Sequence, residues 1–157
     1  MTCISQKGKL FEWTLFLDTY NNEIIAHSLS SRRGDSKPYY KCLDVLKRKV
    51  GKNKEQTAPV VLHTDQGAVY SSRAFGQAHK DYNILRSMSR AATPTDNPVM
   101  ESLNGWMKEE LILDFGLMIA DDIQVVLNRY VHYFNYDRPA YALDYKSPVQ
   151  YKTEQGF

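Results

Sequence analysis

Three strand-like runs crowd the first thirty residues: TCIS, LFEWTLFL and EIIAHSLS, joined by KGK and then by DTYNN. Short runs of large apolar, aromatic and β-branched residues divided by Gly, Asn and Asp read as antiparallel strands with turns between them. In the third run Ile24, Ala26 and Ser28 alternate against Ile25 and His27, the period of two that assigns side chains to opposite faces of a sheet. An antiparallel meander made this early commits the rest of the chain, because its apolar face has to be covered by elements that come later.

Those elements announce themselves by a change of period. From Asp35 onward Tyr39, Leu43, Leu46 and Val50 recur at helical spacing, which predicts one buried helix face. GKNKEQTA follows as a polar loop, PVVLH as a short buried strand, SSRAFGQAHKDY as a helix capped by Ser71 or Ser72, and ILRSM as a fifth strand. SRAATPTDNP is a loop that ends in helix-start chemistry, with Asp96 or Asn97 as N-cap and Pro98 at the first helical position. Along the next helix Met100, Leu103, Met107 and Leu111 form the apolar stripe, while Glu101, Asn104 and Lys108 occupy the adjoining face. A last helix, ADDIQVVLNRYVHYFN, buries Ile123, Leu127, Tyr130 and Phe134, and an aromatic tail closes the chain. The order is three antiparallel strands and then alternating helices and strands, an α/β pattern in a single domain over 1–157.

Composition removes several function classes. With 43% hydrophobic residues in 157 the chain can fill a core, and a net charge of +2 is too small for the whole-molecule field to select a polyanion. Any nucleic-acid contact has to be local. Cys3 and Cys42 lack metal-ligand spacing, which argues against zinc and suits a reducing cytosol. No stretch of apolar residues is long enough to span a membrane, so the expectation is a soluble protein without a membrane partner. KRKVGKNK, although basic, is accounted for by cations favoured at a helix C-terminus.

The chemistry concentrates in HTDQGAVYSS. Asp65 follows the apolar run PVVL, at the strand end where α/β proteins open their crevices. Thirty-five residues separate it from Glu101, in the first turn of a helix. Two carboxylates from different elements suit a magnesium ion, which takes one or two acids and fills its other octahedral positions with water and phosphate oxygens. Each acid also has an ordinary explanation: Asp65 as an Asx-turn cap on Gly67 or Ala68, and Glu101 as an acid favoured near a helix N-terminus. His63 reads as a hydrogen-bonded residue beside the strand and not as a ligand.

Taken together, LDTYNNEIIAHSLS, HTDQGAVYSSRAF, SMSRAATPTDNPVMESLNGWMKEEL and FNYDRPAYALDYKSPVQY resemble, in order and over nearly the whole chain, the catalytic core of insertion-sequence transposases and retroviral-type integrases. The resemblance implies a ribonuclease-H-like mixed sheet, three antiparallel strands then two parallel, flanked by helices. It implies a polynucleotidyl transferase with an Asp, Asp, Glu set, of which Asp65 and Glu101 match the second and third members, with Mg²⁺ or Mn²⁺ in a two-metal site. DNA, as transposon ends and target, is the implied partner, together with self-association in a transposition complex in the bacterial cytosol. Lys108, Ser89, Arg90 and Arg138 are the expected DNA contacts, Arg138 being equally readable as a structural anchor.

The chain departs from the family at three places. The first acid aligns immediately before Met1, so the expectation is a core that starts just after it and is weak or inactive in catalysis as it stands, whether as a fragment or through loss of the acid. In the tail the family's histidine is Ala140 and its glycine is Asp144. Asp18, at the end of the second strand, is assigned to turn structure. Two other classes stay open: a non-catalytic remnant that binds DNA or assembles with a full-length transposase, and, remotely, a two-carboxylate glycosidase.

Overall fold

A computed structural model describes residues 1–52, 58–89 and 98–157. The meander forms as its pattern predicts: β1 (Thr2–Gln6), β2 (Lys9–Leu17) and β3 (Ile24–Ser30) make an antiparallel sheet in the order β1-β2-β3. Lys7 and Gly8, both at positive φ, form the two-residue turn between β1 and β2, the combination whose twist matches a hairpin. Asp18 is a turn residue, its Oδ1 accepting the Tyr20 N–H at 3.0 Å.

Helix α1 (Lys37–Val50) buries Tyr39, Leu43 and Leu46, with Pro38 and Cys42 beside them. Its basic last turn is partly spent in the fold, Lys47 pairing with Asp44 at 2.6 Å and Lys49 with Glu23 at 3.5 Å. β4 (Val60–Thr64) and β5 (Ile84–Met88) pair in parallel, Val60 opposite Ile84 and Thr64 opposite Met88. Between them the expected helix is α3 (Arg73–Gln77), shorter than SSRAFGQAHKDY suggested, and a one-turn helix that the pattern did not announce, α2 (Ala68–Ser71), precedes it. Of the two expected caps it is Ser72 that serves: it is extended, at ψ 145, separating α2 from α3, and its side chain accepts the Phe75 N–H to cap α3.

Helix α4 (Pro98–Leu113) and helix α5 (Ile123–Tyr136) cover one face of the meander. Ile4, Trp13 and Leu15 meet Leu103, Met107 and Leu111 of α4 and Leu127, Tyr130 and Phe134 of α5 in one cluster. Phe16 and Ala26 face the other way, into a second cluster with α1, Tyr70, Phe75, Leu62 and Ile84. Asn135 ties α5 to the sheet by mimicking a strand, accepting the Ile24 N–H at 2.9 Å and donating to the Ile24 carbonyl at 3.0 Å. The tail adds a 3-10 turn at Tyr141–Leu143 and then α6 (Pro148–Glu154), opened by a capping box of Ser147 and Gln150.

The strands are those expected, but they do not form one sheet: the antiparallel three and the parallel two are separate. β1 covers β2 only as far as Trp13, and Thr14–Leu17 pair with β3 alone. A groove therefore lies between the second half of β2 and β4. The expected N-cap at Asp96 or Asn97 lies outside the described residues.

Candidate functional site

The groove deepens into a cavity of about 1070 Å³ whose lining includes Met1, Leu15–Leu17, Asp18, Val60–Thr64, Asp65, Ser89, Glu101, Asn104 and Lys152. Asp65 reaches it from the end of β4, and Glu101 from the first turn of α4. The two acids singled out by their spacing are thus brought to one cavity, and both are exposed to it.

Local chemistry explains why a glycine follows the acid in HTDQG. The Gly67 N–H donates to Asp65 Oδ1 at 2.9 Å, closing an Asx turn that holds the carboxylate at the mouth of the strand. A Cβ on Gly67 would sit 2.9 Å from that same oxygen, closer than side-chain carbon approaches. Glycine is needed here for space and not for φ, which is an ordinary −56. The turn occupies one carboxylate oxygen along one lone-pair direction, leaving Oδ2 and the second lone pair of Oδ1 available. Turn cap and ligand are therefore compatible roles.

Around this pair the polar groups are largely engaged. Ser89 is buried, its hydroxyl donating to the Thr64 carbonyl at 3.2 Å while its N–H donates to the same oxygen at 2.9 Å. It clamps the ends of β4 and β5 together. His63 Nδ1 lies 2.9 Å from Ser87 Oγ across the parallel pair, a hydrogen-bonded residue at the rim. Tyr70, in the cavity wall, is kept protonated far above the usual phenol range, first by burial and then by the charges of Tyr39, Cys42 and Asp65. Burial likewise pushes the Cys42 thiol up to about 12, which makes it unreactive.

The expected DNA contacts scatter. Lys108 lies two turns beyond Glu101 on α4, half-buried and outside the cavity lining. Arg138 is committed to Glu110, with Nε at 2.8 and 3.1 Å from the two carboxylate oxygens and a second nitrogen at 2.7 Å. Tyr130 donates to the same carboxylate at 2.6 Å. This trio joins α4 to α5 and its tail, the anchoring arrangement. Arg90 lies outside the described residues.

Sequence reasoning placed Asn104 beside the core without a task, and it lines the cavity one turn beyond Glu101. It missed Lys152, which α6 brings to the rim and which Glu23 holds at 3.1 Å. No local pattern connects residues so far apart. Among the described residues no three of His, Cys, Asp and Glu are grouped closely enough to hold an ion by themselves.

Comparison with known proteins places this geometry. Residues 1–94 match the model of the integrase core domain, and residues 82–148 match a second model of the same description. The chain is 31% identical over 153 residues to the transposase for insertion sequence element IS904 of Lactococcus lactis, covering 97% of this chain and 58% of that one. It is 28% identical to the putative transposase InsK for element IS150 of Escherichia coli, covering 98% of this chain and 53% of that one. The chain thus spans little more than half the length of these curated relatives.

Among solved structures, the HTLV-2 integrase catalytic core domain in complex with magnesium superposes with a TM-score of 0.72 at 17% identity, over 95% of this chain and 89% of that one. A chain of the simian T-cell lymphotropic virus intasome, in complex with a PP2A regulatory subunit, gives 0.78 at 20% identity, over 95% and 50%. Those likenesses establish the ribonuclease-H-like fold expected from the motifs. With its first 94 residues matched by the family's own model, the chain belongs to the integrase core domain family.

Proposed function

We propose that this domain supplies the catalytic centre of an insertion-sequence transposase, cutting phosphodiester bonds at element ends and joining them to target DNA with a divalent ion. The observation that carries the reading is the convergence of Asp65 and Glu101, from two different elements, on one cavity. Their oxygen donors fit Mg²⁺ or Mn²⁺, ions that take one or two carboxylates and leave positions for water and phosphate. When bound, such ions supply charge for the attacking and leaving oxygens of an in-line displacement.

The chain's own part is positional. Asp65, fixed by its turn on Gly67, presents one carboxylate from the strand end, and Glu101 presents the other from the first turn of α4. Lys108, on the face adjoining Glu101, is assigned to a backbone phosphate beyond the cavity. Ser89 and Arg138 act by holding the strand ends and α4 in place, their polar groups being already engaged.

The test is Mn²⁺ binding, read by paramagnetic broadening, together with cleavage of labelled element ends. It compares the 157-residue chain with its Asp65→Asn and Glu101→Gln variants. Broadening centred on Asp65 and Glu101 and cleavage of element ends, both lost in either variant, are the expected result. Undiminished broadening in Asp65→Asn would refute the assignment and favour a non-catalytic, DNA-binding role.

A further inference from the structure

Among the described residues, the cavity that Asp65 and Glu101 share is lined by two lysines, Lys49 and Lys152, and by no arginine. They arrive from distant parts of the chain. Lys49 lies in the last turn of α1, where Lys47 is paired with Asp44, and it is the one cation of that turn in the lining. Lys152 is carried by α6. Glu23, just before β3, accepts from Lys152 on one carboxylate oxygen at 3.1 Å and from Lys49 on the other at 3.5 Å.

The Glu23 side chain is 14% exposed, against 47% for Lys49 and 31% for Lys152, so the carboxylate lies behind and the lysines supply the accessible charge. Burial works against the Glu23 charge, but the hydrogen bond from Lys152 and the charges of Lys49 and Lys152 outweigh it and hold the carboxyl below its usual range. The group therefore carries two positive charges against one negative.

A brace for α6 is the plain alternative, and other contacts already supply it. Asn21, wholly buried, donates to the Pro148 carbonyl at 3.0 Å, and the Tyr20 ring packs against Tyr151 and Phe157 with centroids 6.1 and 5.5 Å away. Ion pairs to lysines this exposed add little to stability, and a brace needs one lysine where two are present. The size of the cavity points to what the lysines meet. About 1070 Å³ is more than a single phosphodiester fills, so a strand held at the acids lays its neighbouring nucleotides along the same lining. Each of those nucleotides brings a phosphate charge that an ammonium group can bind.

We propose that Lys49 and Lys152 bind a backbone phosphate flanking the one that reacts, with Glu23 standing in for that phosphate until DNA displaces it. The inference rests on the DNA reading of the cavity and not on the metal.

The test is binding of a fluorescein-labelled, mixed-sequence duplex, read by anisotropy over a range of salt with a chelator in place of metal. It compares the 157-residue chain with its lysine and Glu23 variants, each checked by urea unfolding. In Lys49→Gln and in Lys152→Gln the log–log salt slope is expected to lose about 0.9 in magnitude, so a fourfold rise in salt weakens binding about 3.5-fold less than in the parent. Lys152→Arg, which retains the charge, should keep the parent slope. Glu23→Gln removes the competing carboxylate while keeping its shape and is expected to bind at least about twofold tighter. A brace cannot give that opposite sign: if the ion pairs only held α6, Glu23→Gln would weaken binding as Lys152→Gln does. A parent slope in either lysine variant, or weaker binding by Glu23→Gln, would overturn the proposal and leave the catalytic reading standing. A parent chain that bound no duplex would overturn it together with the DNA reading. Undiminished Mn²⁺ broadening in Asp65→Asn, by contrast, removes the catalytic assignment and leaves the lysine result intact.

Discussion

Replacing Gly67 by alanine separates the carboxylate's position from the stability of the fold. The new Cβ would lie 2.9 Å from Asp65 Oδ1, whereas ordinary contact begins at 3.4 Å, so the carboxylate has to retreat by about 0.5 Å. Backbone strain adds nothing, because φ at Gly67 is −56 and alanine adopts it freely. Two small terms then oppose each other in the folding balance. Weakening an exposed Asx-turn hydrogen bond costs about 1 kcal/mol. Removing a glycine from the unfolded chain returns about 0.4–1 kcal/mol. Thermal or urea unfolding is therefore expected to differ from the parent by less than about 1 kcal/mol. Ligation tolerates displacement far less, since functional groups have to stay within roughly 0.5 Å of productive geometry. Mn²⁺ affinity, read by broadening of the Glu101 amide resonance as metal is titrated, is expected to fall about tenfold, or ~1.4 kcal/mol. Parent-like affinity with unchanged stability would refute the claim that the Asx-turn geometry presents Asp65 to the ion.

Arg138→Met is expected to cost about 1–3 kcal/mol in unfolding, by leaving Glu110 and Tyr130 a broken network, while the salt dependence of DNA binding by fluorescence anisotropy stays unchanged. Lys108→Ala should do the reverse, reducing the magnitude of that log–log slope by about 1 with stability within about 0.5 kcal/mol; an unchanged slope would remove Lys108 from the DNA surface. Burial holds His27 and His79 below the ordinary imidazole value, and Trp13 donates to His27 Nδ1 at 3.3 Å, which requires the neutral ring. Their stabilising contribution is complete above the unfolded value of about 6.5 and is lost as pH falls through the lower folded values, so melting temperature drops as pH falls below about 6.5. His27→Gln should flatten that drop, and an unaltered profile would refute the assignment. Asp144 sits at φ 54 and ψ 40, the left-handed region that glycine enters without a Cβ penalty; Asp144→Gly is expected to gain about 0.5–1 kcal/mol in denaturant unfolding, and a loss would contradict it.

Strands and long helices were legible because each carries its own period. Ala26 and Ser28 are buried as read, while a register shift between Phe16 and Leu17 sends Ile24 into the α4 and α5 cluster and Ala26 into the other, and Leu103, Met107 and Leu111 form the predicted stripe. The separation of the two sheets was not legible, since pairing between strands distant in sequence leaves no mark on either one. The cap at Ser72 was legible, its side chain accepting the Phe75 N–H as a helix start requires, whereas the single turn of α2 before it is too short to carry a period of its own. In the tail, SPVQ carried a capping-box signal that the surrounding aromatics obscured, and α6 was missed. The acid pair could be read from spacing and resemblance. The partner of Arg138 could not, because Glu110 is one of two adjacent acids and only the packing of α5 against α4 chooses between them.

That choice bears on how the two acids are held. Asp65 is fixed locally, by a turn within two residues and by a strand pair that Ser89 clamps. Glu101 inherits its position from a helix whose burial tightens away from it, Leu103 being 9% exposed, Met107 1% and Leu111 0%. The polar fastening of α4 lies farther along still, where Glu110 holds Arg138 and Tyr130. Nine residues of helix at 1.5 Å per residue put that fastening ~14 Å from Glu101. Over such a lever a tilt of only about 4° moves the carboxylate by about 1 Å, twice the displacement that ligation tolerates. On the proposed reading, then, Tyr130 and Arg138 govern the metal site without lining the cavity, by setting the angle of the helix that carries one of its acids.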